Sequence, residues 1–397
     1  MPSSGTSRYV DVLLRPQAAL TFGVALIGRA AYALVILPLL YAVSDATGSI
    51  AIAGIAVAVY GATASFLAPV RAWFIDRYGA RPVLAFLVVA FGGSLTALAV
   101  TSLAAGSGAA LVVIAGVAGA FAPPLGPTMR VAWGKLAPTP ALLRKGLSLD
   151  AVIEELLYLA GPAAAGFALV IIAPGQALLV PAGLVLVGGL LFIATPAVGA
   201  MRPQGRQVRA SEDFRTLLSQ PRLVGLLLPV LVAGAVSGTM SVAVPVVLAD
   251  AGGPAAAGVA LGLFAGGSAL GGLLFGSLKV PGSPARQLVT LATGLLVVSS
   301  LIGVSSGLLA VSVILACAGL FFSPVMIVAY IAAHAAGGEH QQNAATTWVN
   351  TSHNVGGAAG SALAGILIQT AGTSIAVLAI GVTAALLLAV SATLSRR

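Results

Sequence analysis

Arg29, Glu154 and Glu155 read as the charges embedded in long apolar runs. Arg29 lies within Ala18 to Val43, and Glu154 and Glu155 lie side by side in the stretch LDAVIEELLYLAGPAAAG, from Leu149 to Gly166. On a helix beginning at Ala18, Arg29 would sit ~16 Å along the axis, near the middle of a hydrocarbon core, where a charge needs a partner or water. An acid facing an arginine in a low dielectric can exchange a proton. Burial favours the neutral acid and the arginine favours its anion, so a site that alternately approaches and leaves Arg29 takes up and releases a proton. A fixed structural ion pair is the plainer use of the same residues.

A second polar group lies near the other end of the chain. Asn343, Thr347, Asn350, Asn354 and Gly357 fall within about 60° of one another on a helix, with His353 at the edge of the stripe. Aligning Gly161 with Gly356 sets Asn350 against Glu155 and His353 against Tyr158, and leaves Glu154 opposite the apolar Val349. Glu155 is therefore the preferred coupling acid, and Arg29, Glu154, Glu155, Tyr158, Asn350, His353 and Asn354 form the expected coupling site or cavity. His353 also reads as an ordinary hydrogen-bonded histidine. The sequence has no Walker A motif, no H-E-x-x-H and no metal-ligand cluster, so no ATPase or metalloenzyme chemistry, metal or cofactor is expected.

The elements that must position these residues are membrane helices. The chain has 397 residues, 59% hydrophobic and 7% charged, and its mean hydropathy of +1.08 lies outside the range of soluble domains. The apolar runs lack the alternation of barrel strands, and only helices satisfy their peptide groups in lipid. Cutting at charges and Gly/Pro turns gives twelve spans of roughly 20 to 26 residues. They run from Ala18–Val43 and Ile50–Trp73 through Gly108–Trp133, Gly146–Ile172 and Ala344–Thr370 to Ser374–Leu394. Eighteen of the nineteen Lys and Arg residues fall on alternate loops and the termini, and the other is Arg29. Both termini are then cytoplasmic, and the net charge of +9 has a topological cause that requires no nucleic acid. Met1 to Pro16 reads as a cytoplasmic lead-in, not a signal peptide. Cys317, the single cysteine, lies in an apolar run and can form no intramolecular disulfide.

The polar stretch Met201 to Arg222 divides the spans six and six. This gives an N-terminal bundle over 1–200, a cytoplasmic linker over 201–222 and a C-terminal bundle over 223–397. A weak repeat at an offset of 204, Ala53–Tyr60 against Ala257–Phe264, fits two parallel halves. Gly266, Gly267, Gly271, Gly272 and Gly276, with Gly356 and Gly360, read as helix-packing seams.

The stretch RAWFIDRYGARPVL, from Arg71 to Leu84, is a charged turn between two apolar runs. Its Asp76, Arg77, Gly79 and Arg81 resemble the D-R-x-G-x-R heart of the loop between the second and third helices of major facilitator superfamily transporters, with Ala72 in place of the usual glycine. Gly161, Pro162 and Gly166 resemble the glycine-proline motif in the fifth helix of superfamily antiporters, with Ala164 and Ala165 in place of the second glycine pair. Pro123 to Gly126, Arg130, Trp133 and the glutamate pair resemble a group of bacterial efflux permeases. The arginine motif of proton-coupled drug exporters is absent from the fourth span, where Val112 and its neighbours stand.

The resemblance implies an all-α polytopic membrane protein, twelve helices in two pseudo-symmetric six-helix bundles. It implies a monomeric secondary active transporter of the cytoplasmic (inner) membrane, not an enzyme, exporting a small organic molecule by proton antiport with alternating access. Its partners would be that substrate, protons and the lipid bilayer. The few fixed charges suit a neutral or amphipathic substrate. A uniporter or sugar efflux permease of the same superfamily, and a transporter-like sensor that moves nothing, are the alternatives. Asp76 would be a conformational latch, drawn to the positive N-terminal end of the eleventh span when the cytoplasmic side closes.

Overall fold

Peptide groups in apolar runs of this length are satisfied within the run, and the principal elements are all helices. The computed structural model describes residues 12–201, 221–277, 281–336 and 338–394. In chain order the principal helices are α1 (Ala18–Thr47), α2 (Ile50–Phe66), α3 (Ala68–Tyr78), α4 (Ala80–Leu103), α5 (Gly108–Phe121), α6 (Leu125–Leu136) and α7 (Pro140–Ile171). They continue as α8 (Leu179–Ala194), α9 (Pro221–Val247), α10 (Gly253–Ser277), α11 (Pro284–Ser300), α12 (Leu308–Ala336), α13 (Gly338–Ala371) and α14 (Thr373–Leu394). There is no strand among the described residues. Among the described residues, ten spans are long and apolar enough to cross a bilayer, or eleven with the bent pair α2–α3. The remaining expected span, the eleventh, corresponds to α13, 34 residues long, whose first half carries the polar stripe and is correspondingly less hydropathic.

Two expected spans are broken. α2 and α3 meet at Leu67 with a 40° bend, and Pro69, which has no N–H to give, stands in the first turn of α3. Pro123 and Pro124 separate α5 from α6. The stretch from Arg71 to Leu84, expected as a loop, is instead helical through Tyr78 and helical again from Ala80. The reversal is made at Gly79 alone, at φ 92°, which costs a residue without Cβ little. Asp76 and Arg77 thus occupy the last turn of α3.

Arginines close the ends of several helices. Buried Arg71 donates to the carbonyls of Gly119 at 3.2 Å and Ala120 at 3.0 Å, at the end of α5, and to that of Ala64 near the end of α2. Arg81 donates to Ile193, Ala194 and Thr195 at the end of α8. Each puts a cation where last-turn carbonyls lack partners and the helix dipole is negative.

Glycines let helix backbones touch. A Cβ added at Gly234 of α9 would lie 2.0 Å from the carbonyl oxygen of His353, and one at Gly356 of α13 would lie 2.0 Å from that of Leu231. Gly267 and Gly271 of α10 meet Ala316 and Leu320 of α12 in the same way. Cys317 lies on an exposed face of α12. Buried side chains gather into two main clusters. One is drawn from residues 12–198 together with Val242, Ala243, Ala364, Ile368, Ala376 and Ile380, the other from residues 223–388.

Helices α1–α8 meet α9–α14 along α2–α13 and α7–α10. On both lines the close backbone contacts fall toward the end away from the basic loops, with Ile50 and Gly54 against Ser361 and Gly365, and Pro162 and Gly166 against Gly258 and Pro254. There Gln369 Oε1 accepts from Ser49 Oγ at 2.6 Å and from the Ala51 N–H at 2.9 Å. At the basic end, α3 packs against α2 and α4, and α6 against α1 and α7.

Candidate functional site

Arg29 occupies the middle of α1, 4% exposed, and cannot stand there alone. Its Nη1 donates to Asp150 Oδ1 at 2.5 Å, and its Nη2 lies 3.0 Å from Glu154 Oε1. Asp150 and Glu154 are four residues apart on α7, one turn, so both face the same side. A second arginine completes the set. Arg130 of α6 donates to Glu154 Oε2, and its Nε lies 3.4 Å from Asp150 Oδ2. Two arginines and two carboxylates therefore alternate in a closed, formally neutral quartet on α1, α6 and α7.

The quartet is asymmetric. The side chains of Arg29 and Asp150 are 3% and 0% exposed, whereas those of Arg130 and Glu154 are 48% and 23% exposed. The hydrogen bonds run within the buried pair and within the exposed pair. The cross-links between the pairs are looser contacts of 3.0 and 3.4 Å. The buried pair is thus fixed, while Glu154 is shared between a buried and a half-exposed cation.

The break between α5 and α6 makes room for this arrangement. Tyr32 of α1 donates to the Pro123 carbonyl at 2.5 Å, tying the break to the helix that carries Arg29. Thr128 Oγ1 donates to the Pro124 carbonyl at 2.8 Å. A Cβ at Gly126 would lie 3.3 Å from Glu154 Oε1 and 3.6 Å from Arg29 Nε, so a small residue there lets α6 approach. A cavity of about 120 Å³ remains, lined by Arg29, Tyr32, Pro123, Gly126, Glu154 and Tyr158.

The other expected site residues are distributed as follows. The side chains of Glu155, Asn343 and Thr347 lie outside the described residues. Asn350 accepts from Tyr330 of α12 at 2.5 Å. His353 Nδ1 lies 3.4 Å from Asn354 Oδ1, and its ring meets Phe322 edge-on at 5.5 Å. Gly357 is drawn into the seam with α9, so the polar stripe is divided between two neighbours. Gly161 packs on Ala33 of α1, and Pro162 and Gly166 on α10, which places the glycine-proline motif in helix contacts. Asp76 is exposed on α3 and lines a crevice of about 240 Å³ with Thr128 and Lys135. The sequence reading did not single out Asp150, and gave Arg130 and Arg71 no partners. The four-residue spacing of Asp150 and Glu154 was the available signal for the first.

The sequence profile of the Major Facilitator Superfamily matches residues 18–280. The chain belongs to that superfamily. Among solved structures it is similar to a point mutant of the nucleoside transporter NupG, at 13% identity and a TM-score of 0.79, over 94% of this chain and 99% of that one. It is similar to a POT family transporter in complex with 5-aminolevulinic acid, at 14% identity and a TM-score of 0.69, over 95% and 96%. It is also similar to a bacterial homolog of the human lysosomal transporter Spinster in an inward-facing, unoccupied conformation, at 16% identity and a TM-score of 0.66, over 99% and 98%. A search of curated proteins gave no match. As a major facilitator protein with this fold, the chain is a multi-pass membrane transporter and not an enzyme.

Proposed function

We propose that this transporter exports a small, neutral or amphipathic organic molecule across the cytoplasmic membrane in exchange for protons. Alternating access would be a rocking of residues 1–200 against 223–397 about the contacts α2–α13 and α7–α10. With the basic loops cytoplasmic, the far end closed by Gln369 and the glycine contacts is the outside, and the conformation is inward-facing. The observation that carries the reading is the quartet. Asp150 holds Arg29 from a fully buried position, and Glu154, partly exposed at the cavity, is the acid placed to exchange its arginine contacts during the cycle. Glu154 is the coupling acid of this reading because its carboxylate reaches both arginines, while the side chain of Glu155 lies outside the described residues. The similar structures described as transporters of nucleosides and as a POT family complex with 5-aminolevulinic acid accord with a small organic cargo.

Uniport is the second reading, favoured by the closed pairing of all four charges in the quartet. A counterflow screen in proteoliposomes, with and without a pH gradient, separates the two. Antiport predicts counterflow of at least one compound and its concentrative movement when a gradient is imposed. Counterflow indifferent to the gradient selects uniport, and no counterflow of any compound contradicts transport.

A further inference from the structure

Away from the quartet, a hollow of about 500 Å³ lies between α3, the start of α4 and the end of α5. Val70, Phe74 and Tyr78 of α3 form one wall, Val83 and Phe86 of α4 another, and Phe121 closes the end. The 40° bend at Leu67, which also lines it, sets the angle of the first wall. The direction it faces follows from α4. Leu84, Leu87, Val88 and Phe91 are buried, whereas Phe86, Val89, Val100 and Leu103 are each more than half exposed. On a membrane helix that exposed stripe is the lipid side, so the hollow opens sideways into the bilayer. Phe86 is only ~9 Å along the helix from its start at Ala80, which keeps the hollow near the basic end.

The walls are apolar and offer water few partners, so the hollow calls for an apolar occupant. The rim is different. Arg77 has no acidic partner among the described residues, and its guanidinium carbon sits 5.6 Å from the Trp73 ring and 5.7 Å from the Tyr78 ring. Tyr78 in turn stacks on Phe74 in the wall at 6.0 Å. A cation held by Trp and Tyr at a helix end is the composition of a membrane interface. Arg71, 7% exposed, also lines the hollow, with its terminal nitrogens on helix-end carbonyls and its Nε without a hydrogen-bond partner.

We propose that this hollow binds one anionic phospholipid, with its phosphate on the Arg77 guanidinium and one acyl chain lying along Phe74, Tyr78, Val83 and Phe86. A zwitterionic lipid supplies the same chain but brings its own cation to Arg77. Charge therefore selects the head group, and the chain fills the hollow.

The test uses Trp73 as the reporter, in full-length protein carrying Trp133→Phe and Trp348→Phe. The protein is reconstituted in phosphatidylcholine vesicles and titrated with phosphatidylglycerol or phosphatidylcholine brominated on one acyl chain. The expected result is half-maximal quenching at an about fivefold lower mole fraction of phosphatidylglycerol, the discrimination one surface arginine supplies. Arg77→Gln should remove the difference, and Val83→Phe, which fills the hollow and keeps the charge, should weaken quenching by the brominated phosphatidylglycerol. Equal quenching by the two lipids means annular lipid only and overturns the proposal. So does a difference that survives Arg77→Gln, which would reflect the basic face as a whole. If Arg77→Gln does not fold, Val83→Phe decides alone. If the single-tryptophan protein does not fold, the difference between the native chain and Trp73→Phe gives the same signal.

Discussion

Glu154 Oε1 lies 3.0 Å from Arg29 Nη2 while the other oxygen of the same carboxylate accepts from Arg130. Asp150, one turn earlier, answers the same two arginines from a fully buried position. The two acids carry equal charge in unequal surroundings. Asp150→Asn deprives a buried arginine of its hydrogen-bonded counter-ion and should destabilise the protein by about 3–5 kcal/mol. Glu154→Gln, on a partly exposed carboxylate, should cost no more than about 1 kcal/mol. Thermal unfolding of both purified variants measures the difference, and similar melting temperatures would remove the distinction between a fixed and an exchangeable acid.

Gln369 joins α13 to the start of α2 at the far end by two hydrogen bonds, from Ser49 Oγ and the Ala51 N–H. Each such bond contributes about 0.5–1.5 kcal/mol net. Gln369→Leu should therefore move the population toward the state open at that end. Spin labels at Asp45, in the last turn of α1, and at Asp250, in the turn after α9, should report a longer distance. An unchanged distribution would mean that the glycine contacts alone hold the gate.

Asp76 should act in the opposite direction. It is exposed on the last turn of α3 here, and is expected to meet the N-terminal end of α13 only when the basic end closes. Asp76→Asn should favour the inward-facing state by about 1 kcal/mol, a shift the same label pair would read as a shorter mean distance. Combined with Gln369→Leu it should offset part of that variant's effect. Indifference of the label pair to Asp76→Asn would leave the charged turn without a latching role.

Gly356 of α13 has the carbonyl of Leu231 where a Cβ would go, while Gly61 of α2 has nothing within 4 Å. Gly356→Ala should cost about 1–3 kcal/mol through forced separation of α9 and α13. Gly61→Ala should be neutral or slightly stabilising, since helical alanine is favoured over glycine. Equal behaviour of the two variants in thermal unfolding would contradict the backbone-to-backbone seam.

The membrane class and most helix limits were legible because apolar length is a direct physical requirement of the bilayer. The breaks at Leu67 and Pro123–Pro124 blurred the second and fourth spans, because both sides of each break are equally apolar. Gly79 hid in a charged stretch that reads as a loop, although one residue at positive φ makes the whole turn. Arg29's need for a partner could be read from its depth alone. Which partner it takes could not, because matching the halves directs attention to Glu155 and Asn350, whereas α7 turns Asp150 and Glu154 toward α1. Arg130 was read as one of the basic loop charges, and its role depends on the α5–α6 break bringing α6 beside α7.

The most direct measurement compares Glu154→Gln with the native protein in two assays, using a substrate identified by counterflow. The account predicts that concentrative, proton-driven transport is lost in Glu154→Gln while counterflow, which needs no net proton movement, continues at a rate close to native. Loss of both activities together in a folded variant, or proton-driven transport that survives the substitution, would contradict the assignment of Glu154 as the exchanging acid.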